Sequence, residues 1–146
     1  MHVQTILSAK GSEVATISPS ATLADATAML RDQGFGALVV SNDGVSIDGI
    51  ISERDIVRSL ATDGSATLEL EVAVCMSSDV ITCHPSDSID DLMQSMTDRR
   101  IRHLPVVDDD DSLTGMISIG DVVKYRLGEL ERENDQLHEY IQGNVG

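Results

Sequence analysis

One order of apolar and polar positions runs through the first half of the chain and predicts five short elements. Val14–Ile17 reads as extended and ends just before Ser18 and a proline, which disfavours helix at the residue preceding it. Apolar residues at helical spacing follow Thr22, and a wholly apolar strand, Ala37–Val40, comes next. A polar turn then separates this strand from Ile47–Ser52, which runs into a further helix. The pattern predicts a β-α-β-β-α unit.

The same order returns in the second half. A shift of 66 residues aligns Val14–Leu60 with Val80–Arg126 without a gap, and 15 of the 47 aligned pairs are identical. Unrelated segments would agree at only a few positions, so the chain is a tandem duplication of one supersecondary unit. In each unit the first helix has a predicted N-cap and an aspartate three residues later: Thr22 and Asp25, Ser88 and Asp91.

Neither copy can bury a sufficient core alone, because a unit of about 50 residues is marginal. The two are therefore expected to pack together in an α+β fold. A short apolar helical face, Val3, Ile6 and Leu7, precedes the first copy, and a comparable one, Val72–Met76, precedes the second. The predicted parts are a first repeat with its helix, a linker with a loop-like start, a second repeat and a C-terminal helix, over residues 1–62, 63–71, 72–127 and 128–146.

Charge and composition exclude several classes of function. The 146 residues include 25 Asp and Glu against 10 Lys and Arg, a net charge of −15 that would repel a nucleic acid. Two Tyr, one Phe and no Trp are too few to stack single-stranded bases. The chain lacks an apolar run of bilayer length, a signal-peptide pattern and the cysteines of a disulfide scaffold. We therefore expect a cytoplasmic protein that binds neither nucleic acid nor membrane.

The sequences GIISERD (Gly49–Asp55) and GMISIGD (Gly115–Asp121) occupy the same place in the two copies, where a strand ends and a helix begins. A helix N-terminus presents free N–H groups and partial positive charge, so anions bind there. Each motif also supplies a serine hydroxyl and, three residues later, a carboxylate that suits a ribose diol. A helix-capping box uses the same two residues, so capping and ligand binding are both open at this point.

These motifs resemble those of tandem cystathionine-β-synthase (CBS) domain pairs, also called Bateman modules, and in particular those of stand-alone bacterial pairs. The resemblance covers about Val3 to Tyr125 and includes a third segment, RIRHLPVVD (Arg100–Asp108). It implies two β-α-β-β-α repeats packed about a pseudo-twofold axis, to which this chain adds a C-terminal helix.

The resemblance implies an adenosine ligand bound in clefts between the repeats, with AMP first and ADP, ATP, NAD(H) or S-adenosylmethionine as further candidates. It places ribose on Asp55 and Asp121, with Ser52 and Ser118 beside ribose or phosphate. The adenine would be lined by Thr16, Ile17, Thr82 and Cys83. The phosphates would be faced by Arg54, Arg102 and His103. The remaining cleft positions are Gly36, Ala37, Ile119 and Gly120. Neither a catalytic residue nor a metal or catalytic cofactor is implied.

The two clefts differ in composition at aligned positions. Pairs that differ in the site include Gly36 with Arg102, Ala37 with His103, and Arg54 with Gly120. The clefts are therefore not equivalent, and the sequence leaves open which of them binds a ligand better.

The C-terminal segment carries a heptad stripe. Its members recur at spacings of 4, 3, 4, 3 and 4: Val123, Leu127, Leu130, Asn134, Leu137 and Ile141. A lone helix with one apolar stripe is unstable in water, so the stripe must be covered. It packs either on its own domain or on a second copy, with Asn134 fixing the register. Because CBS pairs usually dimerise, the resemblance implies a homodimer through the repeat helices and this helix.

Three functions are compatible with these features. The main hypothesis is a non-enzymatic regulatory module that binds an adenosine nucleotide and signals to a separate regulated protein through a change in packing. The alternative is a ligand-independent dimeric scaffold with vestigial clefts. A nucleotide hydrolase is the third, but His103 has no Ser or Cys nucleophile paired with it in a recognised motif. Asp108–Asp111 likewise lacks the spacing of a calcium loop.

Overall fold

A computed structural model describes residues 2–11 and 13–145, and the side chains up to residue 141. The helices and strands follow in the order α1 Val3–Lys10, β1 Thr16–Ile17, α2 Leu23–Gln33, β2 Ala37–Val40, β3 Gly49–Ser52, α3 Glu53–Asp63, α4 Val72–Cys75, α5 Ile89–Arg99, β4 His103–Val107, β5 Leu113–Ser118 and α6 Ile119–Val145. The order confirms the predicted α+β class and the C-terminal helix.

The strands form two small sheets. In the first repeat, β1 lies parallel to β2 and β2 lies antiparallel to β3. In the second, β4 and β5 form an antiparallel pair. The strand expected at Val80–Cys83 is reduced to a single bridge at Cys83. The N–H of Val107 still donates to the carbonyl of Cys83 at 2.9 Å, as the N–H of Ser41 donates to the carbonyl of Ile17.

A proline accounts for the missing strand. In the first repeat the N–H of Val39 donates to the carbonyl of Ala15 at 3.3 Å, which continues the pairing beside β1. The position of Val39 is held by Pro105 in the second repeat, and a proline has no N–H to donate. The carbonyl of Ile81 cannot receive this bond, so the segment pairs at one residue only.

Capping residues fix where α2 and α5 begin. The Oγ1 of Thr22 accepts the N–H of Asp25 at 3.2 Å, and the Asp25 carboxylate accepts the N–H of Thr22 at 3.1 Å, which is the predicted reciprocal box. Ser88 caps α5 by accepting the N–H of Asp91 at 3.0 Å. α2 ends at Gly34, whose φ of 68° lies in the left-handed region that glycine adopts without strain.

The core consists of two hydrophobic clusters, one in each repeat, and each is completed by a short helix from outside that repeat. α1 precedes the first repeat but buries Val3, Ile6 and Leu7 in the cluster of the second. α4 precedes the second repeat but buries Val72 in the cluster of the first. Neither repeat therefore closes its core without the other.

Backbone hydrogen bonds anchor the two exchanged helices in the same way. The N–H of Val3 donates to the carbonyl of Asp87 at 2.9 Å. The N–H of Val72 donates to the carbonyl of Ala21 at 2.8 Å. The two donors, Val3 and Val72, are 69 residues apart, and the two acceptors, Ala21 and Asp87, are 66 apart. The acceptor offset equals the shift between the two copies, and the donor offset is the one that relates the first residues of α1 and α4, so the second bond is the counterpart of the first. This repetition confirms the pseudo-twofold packing that the resemblance implies.

The first glycine of each repeated motif lies directly against an exchanged segment. A Cβ on Gly115 would lie 2.7 Å from Cδ2 of Leu7 in α1. A Cβ on Gly49 would lie 2.6 Å from Sδ of Met76 and 2.8 Å from the carbonyl oxygen of Ser77. These separations are shorter than van der Waals contact. At Gly49 the clash includes backbone, so the exchanged segment can approach only a glycine, whereas a Cβ on Gly115 would force the end of the buried Leu7 side chain to shift.

The linker between the repeats is more regular than its polar composition predicts. α3 continues to Asp63, and a 3-10 helix follows over Gly64–Glu69. Thr67 is fully buried there, and its Oγ1 donates to the carbonyl of Ser59 at 2.9 Å. This bond satisfies the buried hydroxyl and holds the linker to α3, so the expected loop-like start is wrong. The division of the chain into four parts stays a prediction.

α6 begins inside the second repeat and extends well past it. Val122 buries its first turns in the core, and Arg126 pairs with Asp90 of α5 and with Glu129, the latter at 3.1 Å. Beyond this anchor every described side chain from residue 131 to 141 is exposed. Across the described part of the chain, none of the helices combines the length and the apolar character needed to cross a bilayer.

Gly115→Ala is predicted to lower the free energy of unfolding by about 1–3 kcal/mol, because the added methyl group overpacks against Leu7. Urea unfolding followed by circular dichroism measures the change. Gly128→Ala in α6 is the matched control, since its Cβ would lie 3.6 Å from the nearest neighbouring atom, Nη1 of Arg132. Helix propensity predicts a gain of up to about 1 kcal/mol for the control. Equal effects in the two variants would contradict the close-approach role of Gly115.

Candidate functional site

Strand pairing brings the predicted residues of each repeat to one place. Ala37, at the start of β2, lies opposite Ser52 at the end of β3. His103, at the start of β4, lies opposite Ser118 at the end of β5. The motif aspartates follow three residues later, in the first turns of α3 and α6. Each repeat therefore presents a strand start, a serine hydroxyl and a helix N-terminus side by side.

In each motif the serine and the aspartate cap the helix that follows. The Asp55 Oδ2 accepts the N–H of Ser52 at 2.9 Å, and the Ser52 Oγ accepts the N–H of Asp55 at 3.3 Å. Ser118 and Asp121 exchange the same two bonds at 2.9 and 3.1 Å. Capping is thus confirmed in both repeats, and it uses Oδ2. Within the described residues, Oδ1 of neither aspartate accepts a hydrogen bond.

The carbonyl of the residue just before β2, and that of the residue just before β4, each accept a further N–H from a helix start. The N–H of Glu53 donates to the carbonyl of Gly36 at 3.1 Å. The N–H of Ile119 donates to the carbonyl of Arg102 at 2.8 Å. The third N–H of each helix is held by the motif serine, so little of the usual anion-binding capacity remains. In the described part of the chain, the first-turn donors left for an anion are the N–H groups of Arg54 and Gly120.

The two motif carboxylates differ in their cationic partner. The Nζ of Lys10, at the end of α1, donates to Oδ2 of Asp121 at 2.7 Å and to the carbonyl of Met116 at 2.9 Å. Burial favours the neutral form of Asp121. The hydrogen bonds from Lys10 and from the N–H of Ser118 outweigh burial and hold the pKa of this carboxyl below its ordinary value. Asp55 forms no salt bridge within residues 2–11 and 13–141.

His103 lies where the two repeats meet. A Cβ on Gly36 would lie 3.1 Å from Cε1 of His103, so the glycine makes room for the imidazole ring. Burial lowers the pKa of His103 below its ordinary value, against the opposing charges of Glu53 and Asp121. The imidazole is therefore neutral at pH 7, and the positive charge near the clefts comes from other side chains.

A cavity of about 290 Å³ opens between the start of α3 and the junction of α5 with β4. Its wall consists of three arginines and four less polar residues: Arg54, Arg100, Arg102, Met96, Thr97, Ile101 and Ile119. None of the three arginines forms a salt bridge with another described residue. In a chain with a net charge of −15, three arginines without an ion pair along one cavity favour an anion there.

The residues predicted to line the adenine differ in how exposed their side chains are. Ile17 and Cys83 are buried in the core, so a ligand would meet only their main chain. Thr16 is half-buried and Thr82 is exposed. Burial and the charge of Asp87 raise the pKa of the Cys83 thiol to about 12, which keeps it protonated. The role of these positions in ligand binding stays a prediction.

Two further residues join the candidate site: Lys10, which lies outside every matched motif, and Arg100, which opens the segment RIRHLPVVD but is not among the predicted site residues. Lys10 precedes the repeats, and its bond to Asp121 spans 111 residues of sequence. Arg100 ends α5 in the left-handed region, at a φ of 54°, where the first repeat has Gly34. A glycine exchanged for an arginine in the repeat alignment is the signal that identifies Arg100, because a side chain is strained in that conformation.

Comparison with known proteins decides the family. A model of the CBS domain matches residues 10–62 and 70–128, which is more than half of the chain. The chain belongs to the CBS-domain family. The tandem CBS pair inferred from the repeated motifs is thereby confirmed.

One relative and two solved structures show how far the likeness extends. CBS domain-containing protein CBSX3, mitochondrial, of Arabidopsis thaliana is 39% identical over 126 residues, which cover 84% of this chain and 61% of that protein. This chain thus spans about three fifths of that relative. The crystal structure of the CBS-domain containing protein ATU1752 from Agrobacterium tumefaciens is 39% identical, with a TM-score of 0.82 over 86% of this chain and 92% of that one. The CBS domain pair of protein MJ0100, in complex with 5′-methylthioadenosine and S-adenosyl-L-methionine, is 23% identical and shares the fold, with a TM-score of 0.78 over 88% of this chain and 98% of that one.

Arg100→Gly is predicted to raise the free energy of unfolding by about 1 kcal/mol, because glycine adopts the left-handed conformation without strain. Arg99→Gly, the matched control, removes the same charge from the last turn of α5 and is predicted to lower it by up to about 1 kcal/mol. Unfolding in guanidinium chloride, which screens the charge change, measures both. A loss of stability in Arg100→Gly would contradict the strain at this position.

Proposed function

We propose that the chain is a regulatory module that binds an adenosine nucleotide in the first cleft, with the ribose on Asp55 and the phosphate in the arginine cavity. The observation that carries the proposal is that Arg54 lines the cavity and Asp55 follows it directly in α3. A carboxylate can accept paired hydrogen bonds from a ribose diol. Guanidinium groups match phosphate oxygens in geometry as well as charge.

The charge of the cavity favours ligands that carry phosphate. AMP, ADP, ATP and NAD(H) each place phosphate next to a ribose, whereas S-adenosylmethionine carries a sulfonium cation that three arginines would repel. The complex of the MJ0100 CBS pair supports adenosine chemistry in this fold. The three arginines then favour a ligand with a phosphate group, and not a cationic group, attached to its ribose. AMP is the first candidate, as the resemblance to CBS pairs implies.

A phosphate in the cavity would contact both repeats. Arg54 comes from the first repeat, and Arg100 and Arg102 come from the second, so the ligand would draw α3 towards the junction of α5 with β4. The exchanged helices join the two cores, so this movement would reach both of them. Coupling of this kind typically amounts to about 1–3 kcal/mol. The proposed output is a change in packing that a separate protein reads, in the cytoplasm and without catalysis by this chain.

Asp55→Asn is predicted to weaken AMP binding by about tenfold or more, because the charge-assisted hydrogen bonds to the ribose are lost. Isothermal titration calorimetry at pH 7 and constant salt measures the affinity. Asp63→Asn is the matched control, since Asp63 is exposed at the far end of the same helix. Removing a negative charge near a phosphate should by itself strengthen binding, so a loss in Asp55→Asn is diagnostic of the ribose contact.

Equal affinity of the wild type and Asp55→Asn would overturn the ribose assignment. Failure of AMP, ADP, ATP, NAD and S-adenosylmethionine all to shift the thermal midpoint of the wild type would overturn nucleotide binding. That result would favour the alternative, a scaffold with vestigial clefts.

We further infer that a second copy of the chain covers the stripe on α6. Leu127, Leu130, Leu137 and Ile141 are between 51% and 60% exposed. Packing of the stripe on its own domain, one of the two alternatives left by the sequence, is therefore wrong for these four residues. Asn134 lies within the stripe at the heptad position where paired asparagines select a two-stranded, in-register arrangement.

The stripe is too short to hold two chains together alone, because it spans little more than two heptads. An exposed apolar residue on α3 extends the surface. Val57 is 63% exposed, and its counterpart in the second repeat is the stripe residue Val123, which is 48% exposed. A homodimer that combines this face of α3 with α6 would bury both the stripe and the exposed valine of α3.

Leu130→Gln/Leu137→Gln is predicted to raise the dimer dissociation constant by about tenfold or more, because two apolar contacts in each chain are lost. Sedimentation equilibrium at micromolar concentrations measures it. Leu68→Gln/Val74→Gln is the matched control, since these residues are also exposed but lie outside α6. A wild type that is monomeric throughout, or a stripe variant that dimerises as tightly as the wild type, would contradict the inference.

A further inference from the structure

Lys10 holds the carboxylate that would bind ribose in the second cleft. Its Nζ lies 2.7 Å from Oδ2 of Asp121 and 2.9 Å from the carbonyl oxygen of Met116. α1, which delivers this side chain, is fixed by its buried face and by the bond from the N–H of Val3 to Asp87. A lysine in the last turn of a helix is also favoured by the partial negative charge there.

The first cleft has a backbone pairing where the second has Lys10. The carbonyl of Ile50, the counterpart of Met116, accepts the N–H of Ser77 at 2.9 Å. The difference arises because α4 ends at Cys75 and the chain then becomes extended, whereas α1 stays helical as far as Lys10. The pseudo-twofold relation therefore breaks down at this point of the clefts.

Residues at the same sequence offset have opposite charge. The offset of 69 residues that relates α1 to α4 places Asp79 at the position of Lys10. Asp79 is exposed, and an acidic residue cannot neutralise Asp55. Within residues 2–11 and 13–141, neither a lysine nor an arginine forms a salt bridge with Asp55. Among the described groups, Oδ1 is unbonded in both aspartates, so the difference lies in the charge: the carboxylate of Asp55 keeps its charge for a ligand, whereas that of Asp121 is neutralised by Lys10.

The ion pair between Lys10 and Asp121 can be displaced, because both side chains are partly exposed to solvent. The side chains of Lys10 and Asp121 are 35% and 23% exposed. Lys10 can rotate into solvent without unfolding α1, although the carbonyl of Met116 then loses its donor. The neighbouring His103 cannot replace the cation at neutral pH, because its burial keeps it uncharged.

We propose that Lys10 is an internal latch that closes the second cleft, so that the chain binds one adenosine nucleotide in the first cleft and a second only when Lys10 is displaced. The proposal rests on the proposed function, because it concerns the same pair of carboxylates. α1 carries both the latch and the apolar residues that complete the second core. Displacement of Lys10 would therefore act on the packing of the second repeat.

Isothermal titration of the full chain with AMP tests the latch by stoichiometry. The wild type is expected to bind one AMP per chain. Lys10→Met is expected to bind two, because methionine fills the space of the aliphatic stem but cannot donate to Asp121. Lys124→Met, which alters the other lysine of the chain, is the matched control and is expected to bind one. Adding Asp121→Asn to Lys10→Met is expected to remove the second site and keep the first.

One site of equal affinity in both the wild type and Lys10→Met would overturn the latch and leave the proposed function standing. Two sites of similar affinity in the wild type would also overturn it. Absence of binding in every variant would overturn the proposed function and the latch together. If Lys10→Met does not fold, Lys10→Gln replaces it, since the amide can still donate to the carbonyl of Met116 but carries no charge.

Discussion

The exchange of α1 and α4 between the repeats is the constraint on which the rest of the structure depends. Each core is closed by a helix from outside its own repeat, so the two clusters form together. The exchanged segments leave no room for a Cβ at Gly49 or Gly115. The serine and aspartate that follow each glycine are engaged in capping. The repeated motif therefore stabilises the fold, and a ligand of the proposed kind would have only the donors and acceptors that are not already used in these bonds.

The two clefts are built on the same repeated motif but differ in a few charged side chains. Arg54 stands where the second motif has Gly120, and it joins two arginines of the other repeat around one cavity. Lys10, which corresponds by sequence offset to Asp79 after α4, neutralises the carboxylate of the second cleft. Because the net charge is −15, the remaining surface should repel polyanions, while the proposal assigns a small anion to the arginine cavity. Charge therefore selects the size of the ligand as well as its chemistry.

The sequence predicts those parts of the fold that depend on local pattern, such as the β2 and β5 strands and the N-cap at Thr22. The duplication adds the pseudo-twofold relation, because hydrogen bonds repeat at the offset between the copies. It does not predict features that depend on tertiary contacts. The buried hydroxyl of Thr67 orders a linker that reads as a loop, and the Lys10–Asp121 bond joins residues 111 apart. The ligand contacts at the clefts stay predictions, because capping and ribose binding call for the same residue types.

A crystal structure of the chain grown with AMP tests the central claim most directly, because it shows both the position of the ligand and its occupancy. The account predicts one AMP per chain, with the ribose hydroxyls on Asp55 and the phosphate among Arg54, Arg100 and Arg102, while Lys10 stays on Asp121. AMP bound at Asp121 with the first cleft vacant, or AMP bound away from both motifs, would contradict it.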